Sequence, residues 1–130
     1  MRLLGIDHVV LRVLDPAVME RFYVEVLGCA VERRQDEIGL LQLRAGAQLI
    51  DLVDVAGRLG RAGGAGPGEG GRNMDHLCLR VIDFEVEAVR AHLEAQGVKV
   101  GDVGLRYGST GEAVSLYLSD PEGNGLELRA

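Results

Sequence analysis

Hydrophobic and polar positions follow one pattern that occurs twice along the chain. The segment Asp7–Asp15 reappears as Asp75–Asp83, at an offset of 68 residues and with most positions identical. Both copies read as β-strands, in which alternate side chains lie on opposite faces. An internal repeat of this kind predicts two similar structural modules.

Apolar residues at helical spacing follow each of these two strands. They are Val18, Phe22 and Val26 in the first half, and Val86, Val89 and Leu93 in the second. Asp15 and Pro16 are suited to begin the first helix, as a capping side chain and a favourable first helical residue. Glycines are common just beyond helix ends, so Gly28 and Gly97 are expected to end the two helices.

Three further strand-like segments follow each predicted helix. They are Ala30–Arg33, Leu40–Arg44 and Gln48–Val53 in the first half, and Val98–Val100, a stretch within Ala113–Ser119 and Leu126–Arg129 in the second. Each half therefore has the order β-α-β-β-β. The predicted fold class is α+β, with residues 1–130 forming one domain of two βαβββ modules, at about 1–55 and 73–130.

A glycine-rich segment, residues 57–71, joins the two predicted modules and contains eight glycines in fifteen positions. A phosphate-binding loop of the common type needs a Gly-Lys-Ser/Thr sequence and a preceding strand, and neither is found here. The composition is typical of a flexible linker. A mobile flap over a binding site is the alternative interpretation.

Composition and charge narrow the classes of protein that this chain can belong to. Apolar residues make up 47% of the chain, enough for a packed core, which excludes a wholly disordered protein. The net charge of −6 argues against nucleic acid or an anionic membrane as the main partner. There is no apolar run of transmembrane length. The two cysteines, Cys29 and Cys78, predict no disulfide scaffold and favour the reducing cytoplasm.

One face of each predicted strand is apolar, whereas the other is mixed and carries four residues that can bind a metal. These residues are His8, Asp51, His76 and Glu127. Histidines and carboxylates together are a common ligand set for a divalent ion. Each also has an ordinary explanation, such as a solvated strand histidine or an ion pair between Asp51 and Arg44. The matching positions in the repeat favour the metal-site hypothesis.

Three segments of the chain carry a resemblance to a known family. They are Ile6–Leu11, Met74–Leu79 and Leu116–Leu128, and the last contains an Asp-Pro-Glu-Gly-Asn turn between two strands. On these segments the chain resembles the vicinal oxygen chelate superfamily over nearly its whole length. That superfamily includes glyoxalase I, the fosfomycin- and bleomycin-resistance proteins, the extradiol dioxygenases and methylmalonyl-CoA epimerase.

The resemblance implies a fold, a metal site and an assembly. Paired βαβββ modules would form a cup-like mixed sheet around the metal, with the helices on the outer face. His8, His76 and Glu127 match the three usual ligands, and Asp51 matches a fourth ligand of glyoxalase I. Because aspartate is shorter than glutamate, Asp51 is a less certain ligand and an alternative candidate for the catalytic base. The ion would be nickel, zinc, manganese or iron, and the site would be shared between the chains of a homodimer.

Further residues on the mixed faces are candidates for contacts with a small-molecule substrate. They are Tyr117, Gln42, Ser115, Arg80 and Arg12. The resemblance to fosfomycin-resistance proteins singles out Tyr117, while Asp51 and Glu127 are the candidates for catalytic carboxylates.

The favoured function is a metal-dependent lyase or isomerase of the glyoxalase-like type. It would act on a small oxygenated substrate by metal chelation and proton transfer. A binding protein like the bleomycin-resistance proteins, a fosfomycin-modifying enzyme and an extradiol dioxygenase are the alternatives. An extradiol dioxygenase would carry further histidines in its pocket. The third histidine of this chain, His92, lies in the second predicted helix, which weakens the dioxygenase hypothesis.

Overall fold

A computed structural model describes all 130 residues of the chain. The residues group into two compact units, Met1–Asn73 and Met74–Ala130. Each unit contains one four-stranded sheet, and the strands are connected in the same way in both.

The first unit begins with a strand, a helix and three more strands. Its elements are β1 (His8–Val13), α1 (Pro16–Arg21), a π-helical turn (Phe22–Val26), β2 (Ala30–Gln35), β3 (Leu40–Ala45), β4 (Gln48–Asp54) and α2 (Arg58–Ala62). The strand order in the sheet is β1-β4-β3-β2. Strands β1 and β4 are parallel, and the other neighbours are antiparallel.

The second unit repeats this arrangement. Its elements are β5 (His76–Arg80), α3 (Val86–Ala95), β6 (Val103–Gly108), β7 (Gly111–Ser119) and β8 (Gly125–Arg129). The strand order is β5-β8-β7-β6, again with the first and last strands parallel. The predicted α+β class with two βαβββ modules is thereby confirmed. No helix in either unit is long and apolar enough to span a membrane.

The first helix begins and ends where the sequence predicts. A carboxylate oxygen of Asp15 accepts hydrogen bonds from the backbone N–H groups of Ala17 and Val18, both at 3.1 Å. Pro16 occupies the first turn, where its missing N–H is not needed. Gly28 follows the helical segment with φ of +76°, a conformation that favours glycine.

The apolar faces of the strands form the cores of the two units. Buried core residues include Leu11, Val13, Leu43, Ile50 and Leu52 in the first unit, and Leu93, Leu116 and Leu126 in the second. The first helical segment adds Met19, Phe22 and Tyr23. This pattern agrees with the predicted apolar faces of β1, β4 and β8, whereas Leu77 and Leu79 of β5 are only half-buried. Burial of these faces fixes the register, since a slip by one residue would turn every side chain over.

The predicted strand Val98–Val100 is wrong, because the corresponding strand is β6. Gly97 adopts a φ of +75° after α3, and the N–H of Val98 donates to the carbonyl of Leu93 at 2.9 Å. Val98 therefore belongs to the helix terminus and not to a ladder. Strand β6 contains glycines at 104 and 108, which weakened its signal in the sequence.

The glycine-rich segment belongs to the first unit and is partly ordered by packing against the rest of that unit. Its beginning forms α2, which the composition did not predict. The guanidinium of Arg12 donates to the carbonyl oxygens of Gly60 at 3.0 Å, Gly64 at 2.7 Å and Ala65 at 2.9 Å. A Cβ atom on Gly60 would lie 2.0 Å from the carbonyl oxygen of Asp54. At least one of the glycines is thus required by close packing.

Candidate metal centre

In the second unit, a histidine and a glutamate lie side by side on neighbouring parallel strands. His76 begins the edge strand β5, and Glu127 lies on the inner strand β8. The Nε2 atom of His76 is 3.3 Å from Oε2 of Glu127. Gly125 is the register partner of His76, and a Cβ there would lie 2.4 Å from the carbonyl oxygen of Asp75. The absence of a side chain at 125 therefore permits this close approach.

Each of the two strand histidines is oriented by the aspartate that precedes it. The Nδ1 atom of His76 is 2.6 Å from Oδ1 of Asp75, and Nδ1 of His8 is 2.7 Å from Oδ1 of Asp7. When Nδ1–H donates to a carboxylate, a neutral imidazole presents the lone pair of Nε2 to a ligand. This arrangement is typical of metal-binding histidines and raises their basicity.

The same contact affects the charge of the histidine in the first unit. The hydrogen bond to Asp7 raises the pKa of His8, with partial desolvation opposing and the negative charge of Asp51 adding to the increase. His8 lies on β1, and Asp51 lies on the adjacent strand β4. The first unit thus repeats the histidine–carboxylate juxtaposition of the second.

Glu127 is a buried carboxylate with both oxygens engaged. Its exposed fraction is only 5%. The hydroxyl of Ser115 donates to Oε1, and the hydroxyl of Tyr117 donates to Oε2 at 3.0 Å. Burial by itself would raise the pKa of Glu127, but these hydrogen bonds and the electrostatic influence of the nearby His76 and Arg129 outweigh it and lower the pKa. The carboxylate is therefore held in its charged form and in one orientation.

Asp51 is the buried counterpart of Glu127 in the first unit, with an exposed fraction of 4%. The side-chain amide of Gln42 donates to its Oδ2 at 3.0 Å, whereas Oδ1 is buried without a hydrogen-bond partner. Gln42 is the register partner of Asp51, as Tyr117 is of Glu127, so the supporting residues are equivalent in the two units. A buried acceptor without a partner is costly, which suits an atom that binds a ligand.

The donor set fits a divalent metal, although neither unit holds a complete group of ligands. Each unit supplies one imidazole and one carboxylate on the mixed face of its sheet. Within neither unit do three or more His, Cys, Asp or Glu side chains converge as a metal-binding group. The orphaned Oδ1 of Asp51 and the oriented imidazole of His76 nevertheless have the chemistry that nickel, zinc, manganese or iron(II) requires.

The residues predicted to contact a substrate occupy different environments. Gln42, Ser115 and Tyr117 each donate a hydrogen bond to one of the two buried carboxylates. Arg12 binds the glycine-rich segment, and Arg80 is exposed at the end of β5. Burial and the hydrogen bond to Glu127 raise the pKa of Tyr117, so its hydroxyl remains a donor at neutral pH. Direct substrate contacts by these residues stay predictions.

Two features of the site escaped the sequence interpretation. The supporting role of Asp7 and Asp75 was not assigned, although the repeated Asp-His dipeptide carries the signal. The position of Arg106 beside Tyr117 is the second feature. Its guanidinium carbon lies 5.5 Å from the centre of the Tyr117 ring, a contact between residues eleven positions apart that only the β6–β7 pairing reveals.

Two βαβββ units, each with a histidine and a carboxylate on the mixed face of its sheet, define a class of small paired-module proteins. The chain matches the Glyoxalase/Bleomycin resistance protein/Dioxygenase superfamily over residues 5–128 and therefore belongs to that superfamily. The match confirms the resemblance inferred from the sequence. Members of this superfamily typically bind divalent metals.

Individual relatives agree with this assignment. The chain is 33% identical over 125 residues to virulence protein STM3117 of Salmonella typhimurium, covering 95% of this chain and 81% of that protein. The crystal structure of STM3117 aligns with a TM-score of 0.81 and 28% identity, covering 99% of this chain and 98% of that one. The Vibrio cholerae integron cassette protein VCH_CASS1 aligns with a TM-score of 0.80 and 28% identity, covering 99% and 96%.

One further structural relative has an enzyme name. Lactoylglutathione lyase from Agrobacterium tumefaciens aligns with a TM-score of 0.72, covering 99% of this chain and 95% of that one. The identity is 22%, so this likeness shows the fold alone.

Proposed function

We propose that this protein is a divalent-metal-dependent enzyme of the glyoxalase-like type. It would act as a lyase or isomerase on a small oxygenated molecule. One observation carries the proposal: each unit has an aspartate-oriented histidine beside a buried carboxylate, and a side chain of the next strand supports that carboxylate. Burying a carboxylate is energetically costly, so finding one beside an oriented imidazole in both units supports a functional role.

His8, His76 and Glu127 would hold the ion, with Asp51 as a possible fourth ligand. When bound, a divalent ion supplies Lewis-acid stabilisation of the negative charge that develops on a chelating substrate oxygen. Nickel, zinc, manganese and iron(II) all accept imidazole and carboxylate ligands.

The two carboxylates have different roles in the proposal. Both oxygens of Glu127 accept hydrogen bonds, which suits a fixed ligand. The Oδ1 atom of Asp51 has no partner, so it can accept a proton from a substrate carbon or hydroxyl group. Gln42 fixes the other oxygen, which holds the basic atom in one position.

Deuterium exchange tests the proton-transfer role. The metal-loaded protein is incubated in D₂O with small 2-oxo and 2-hydroxy carbonyl compounds, and proton NMR follows the hydrogen beside the carbonyl group. We expect exchange in the wild type and in the Asp54→Asn control, and its loss in Asp51→Asn. Unchanged exchange in Asp51→Asn would remove the base assignment. A protein that binds metal but exchanges no proton would instead favour a binding role, like that of the bleomycin-resistance proteins.

We further propose that the complete site is shared between two copies of the chain. The support is that each unit alone supplies only one histidine and one carboxylate. A pairing of two copies would let His8 and Asp51 of one copy act with His76 and Glu127 of the other. A symmetric dimer would then contain two equivalent sites.

Mixing two defective variants tests the shared site. His8→Ala and His76→Ala are each expected to lose tight metal binding. In random mixed dimers each heterodimer would regain one intact site, so about a quarter of the wild-type capacity returns. A double variant mixed with His8→Ala is the control and should recover nothing. A monomeric protein, or mixed dimers without recovery, would contradict the shared site.

We also propose that the protein works in the cytoplasm. Cys29 is buried and Cys78 is exposed, and both are free thiols. An exposed free thiol is suited to a reducing compartment.

A further inference from the structure

A positively charged side chain lies beside the histidine–glutamate pair of the second unit. The guanidinium carbon of Arg106 is 5.5 Å from the centre of the Tyr117 ring, within the range of a cation–π contact. The centre of that ring is 5.8 Å from the centre of the His76 ring, and its hydroxyl donates to Glu127. Tyr117 therefore bridges Arg106 and the candidate metal ligands.

The guanidinium of Arg106 is held in place but remains accessible. It donates to the backbone carbonyl of its neighbour Leu105 at 2.9 Å and forms an ion pair with Asp102. The exposed fraction of the Arg106 side chain is 40%, and that of Asp102 is 70%. A guanidinium has five N–H donors, so these contacts leave donors for a further acceptor.

A second arginine fastens the strand that carries Arg106. The exposed fraction of Arg129 is only 3%, and its Nη2 donates to the carbonyl oxygens of Gly111 at 2.7 Å and Arg106 at 3.4 Å. A Cβ atom on Gly108 would lie 1.7 Å from Nη1 of Arg129, so a side chain at 108 would displace the guanidinium from this position. The Nε of Arg129 is buried without a hydrogen-bond partner, and the nearby Glu127 carboxylate is the negative charge that faces this guanidinium.

We propose that Arg106 is the anchor for an anionic group on the substrate, positioned by Tyr117, Asp102 and Arg129. The inference rests on the proposed function, because it assigns the substrate class of the same site. A guanidinium binds carboxylate and phosphate groups through paired, charge-assisted hydrogen bonds. The substrate would carry its chelating oxygens toward His76 and Glu127 and its negative group toward Arg106.

The charges around Arg106 determine how the subsite behaves. Asp102 competes with an incoming anion for the same guanidinium. The nearby Glu127 is buried and both its oxygens are bonded, so it does not pair with Arg106. Removing the charge of Asp102 should therefore strengthen anion binding, whereas removing that of Arg106 should weaken it.

Anion titration of the chelator-treated protein tests the subsite without any metal. Inorganic phosphate and malonate are added separately, and ¹⁵N–¹H NMR follows the amides of residues 104–108 and 117. Binding of one anion and not the other distinguishes a phosphate-bearing from a carboxylate-bearing substrate. We expect Arg106→Gln to weaken the binding by at least about tenfold and Asp102→Asn to strengthen it about two- to threefold.

Arg90→Gln is the matched control, because Arg90 lies on α3 and pairs with Glu87 as Arg106 pairs with Asp102. This control should bind both anions as the wild type does. Equal binding in Arg106→Gln and the wild type, or no binding of either anion to the wild type, would overturn the proposal. Metal titration of the same samples is a separate readout. A wild-type protein that binds the anion but no metal would contradict the proposed function and would leave the anion subsite supported.

Discussion

The Nε2 atom of His76 lies 3.3 Å from Oε2 of Glu127, while Nδ1 of the same ring contacts Asp75 at 2.6 Å. The hydroxyl of Tyr117 donates to the same glutamate oxygen at 3.0 Å. These contacts form a continuous polar chain that fixes the ring and the carboxylate together. The pair is therefore oriented by the protein before any ligand arrives, which limits the entropy lost on binding.

Removing the Tyr117 hydroxyl should weaken metal binding without unfolding the protein. Tyr117→Phe deletes the hydrogen bond to Oε2 of Glu127 and keeps the ring beside His76. Loss of such a supporting contact lowers metal affinity by about 10- to 100-fold. Calorimetric titration measures the affinity, and Tyr107→Phe is the control because Tyr107 is a largely exposed tyrosine of β6. Equal affinities in the two variants would show that Tyr117 does not support the site.

In the metal-free protein, the polar pair of Gln42 and Asp51 should be no more stable than a pair of apolar side chains, although breaking the pair on one side should be destabilising. Asp51→Val alone leaves the Gln42 amide unpaired, which destabilises the fold by about 1–3 kcal/mol. Adding Gln42→Met removes both polar partners and the orphaned Oδ1, so the double variant should regain at least the wild-type stability. Urea denaturation of the three proteins measures this order. A double variant less stable than Asp51→Val would contradict it.

A surface ion pair on the first sheet gives a pH dependence with a defined sign. Arg44 contacts Glu32 at 3.0 and 3.2 Å, and this hydrogen bond lowers the pKa of Glu32 from its ordinary value of 4.5. The small stabilisation is present above pH 4.5 and is lost as pH falls through the lower folded-state pKa. NMR titration should give Glu32 its ordinary pKa in Arg44→Gln and a lowered one in the Arg33→Gln control. A lowered pKa in both variants would exclude Arg44 as the cause.

The ordered part of the glycine-rich segment should be sensitive to a single methyl group. Gly60→Ala places a Cβ 2.0 Å from the backbone oxygen of Asp54, so α2 must shift away from β4. Such overpacking costs about 1–3 kcal/mol. Gly70→Ala is the control, because a Cβ there meets nothing within 4 Å. Thermal denaturation compares them, and equal melting temperatures would show that α2 does not pack as described.

Much of the fold could be predicted because its local signals agree with its tertiary structure. Asp15 and Pro16 begin a helix through a side-chain cap and a fixed backbone angle, and both effects are local to the first turn. The two Asp-His strands are visible as a repeat in the sequence. Strand β6 and helix α2 could not be predicted in the same way. Pairing with β7 and packing against β4 stabilise these segments against their glycine content.

The candidate site could be predicted in composition but not in detail. Alternation along the strands placed His76 and Glu127 on one face, and the repeat related them to His8 and Asp51. Burial was not predictable, since a glutamate between two leucines also describes a half-exposed strand. The hydrogen bond from Gln42 to Asp51 depends on the antiparallel register of β3 and β4, which no local pattern specifies.

Metal titration asks whether His76 binds a divalent ion. Chelator-stripped protein is titrated calorimetrically with nickel, zinc, manganese and iron(II), alongside His76→Ala and the control His92→Ala, which removes a histidine of α3. We expect about one tightly bound ion per site in the wild type and the control, and loss of that binding in His76→Ala. The same binding in all three proteins, or none above the background of His76→Ala, would contradict the assignment of His76 to a metal site.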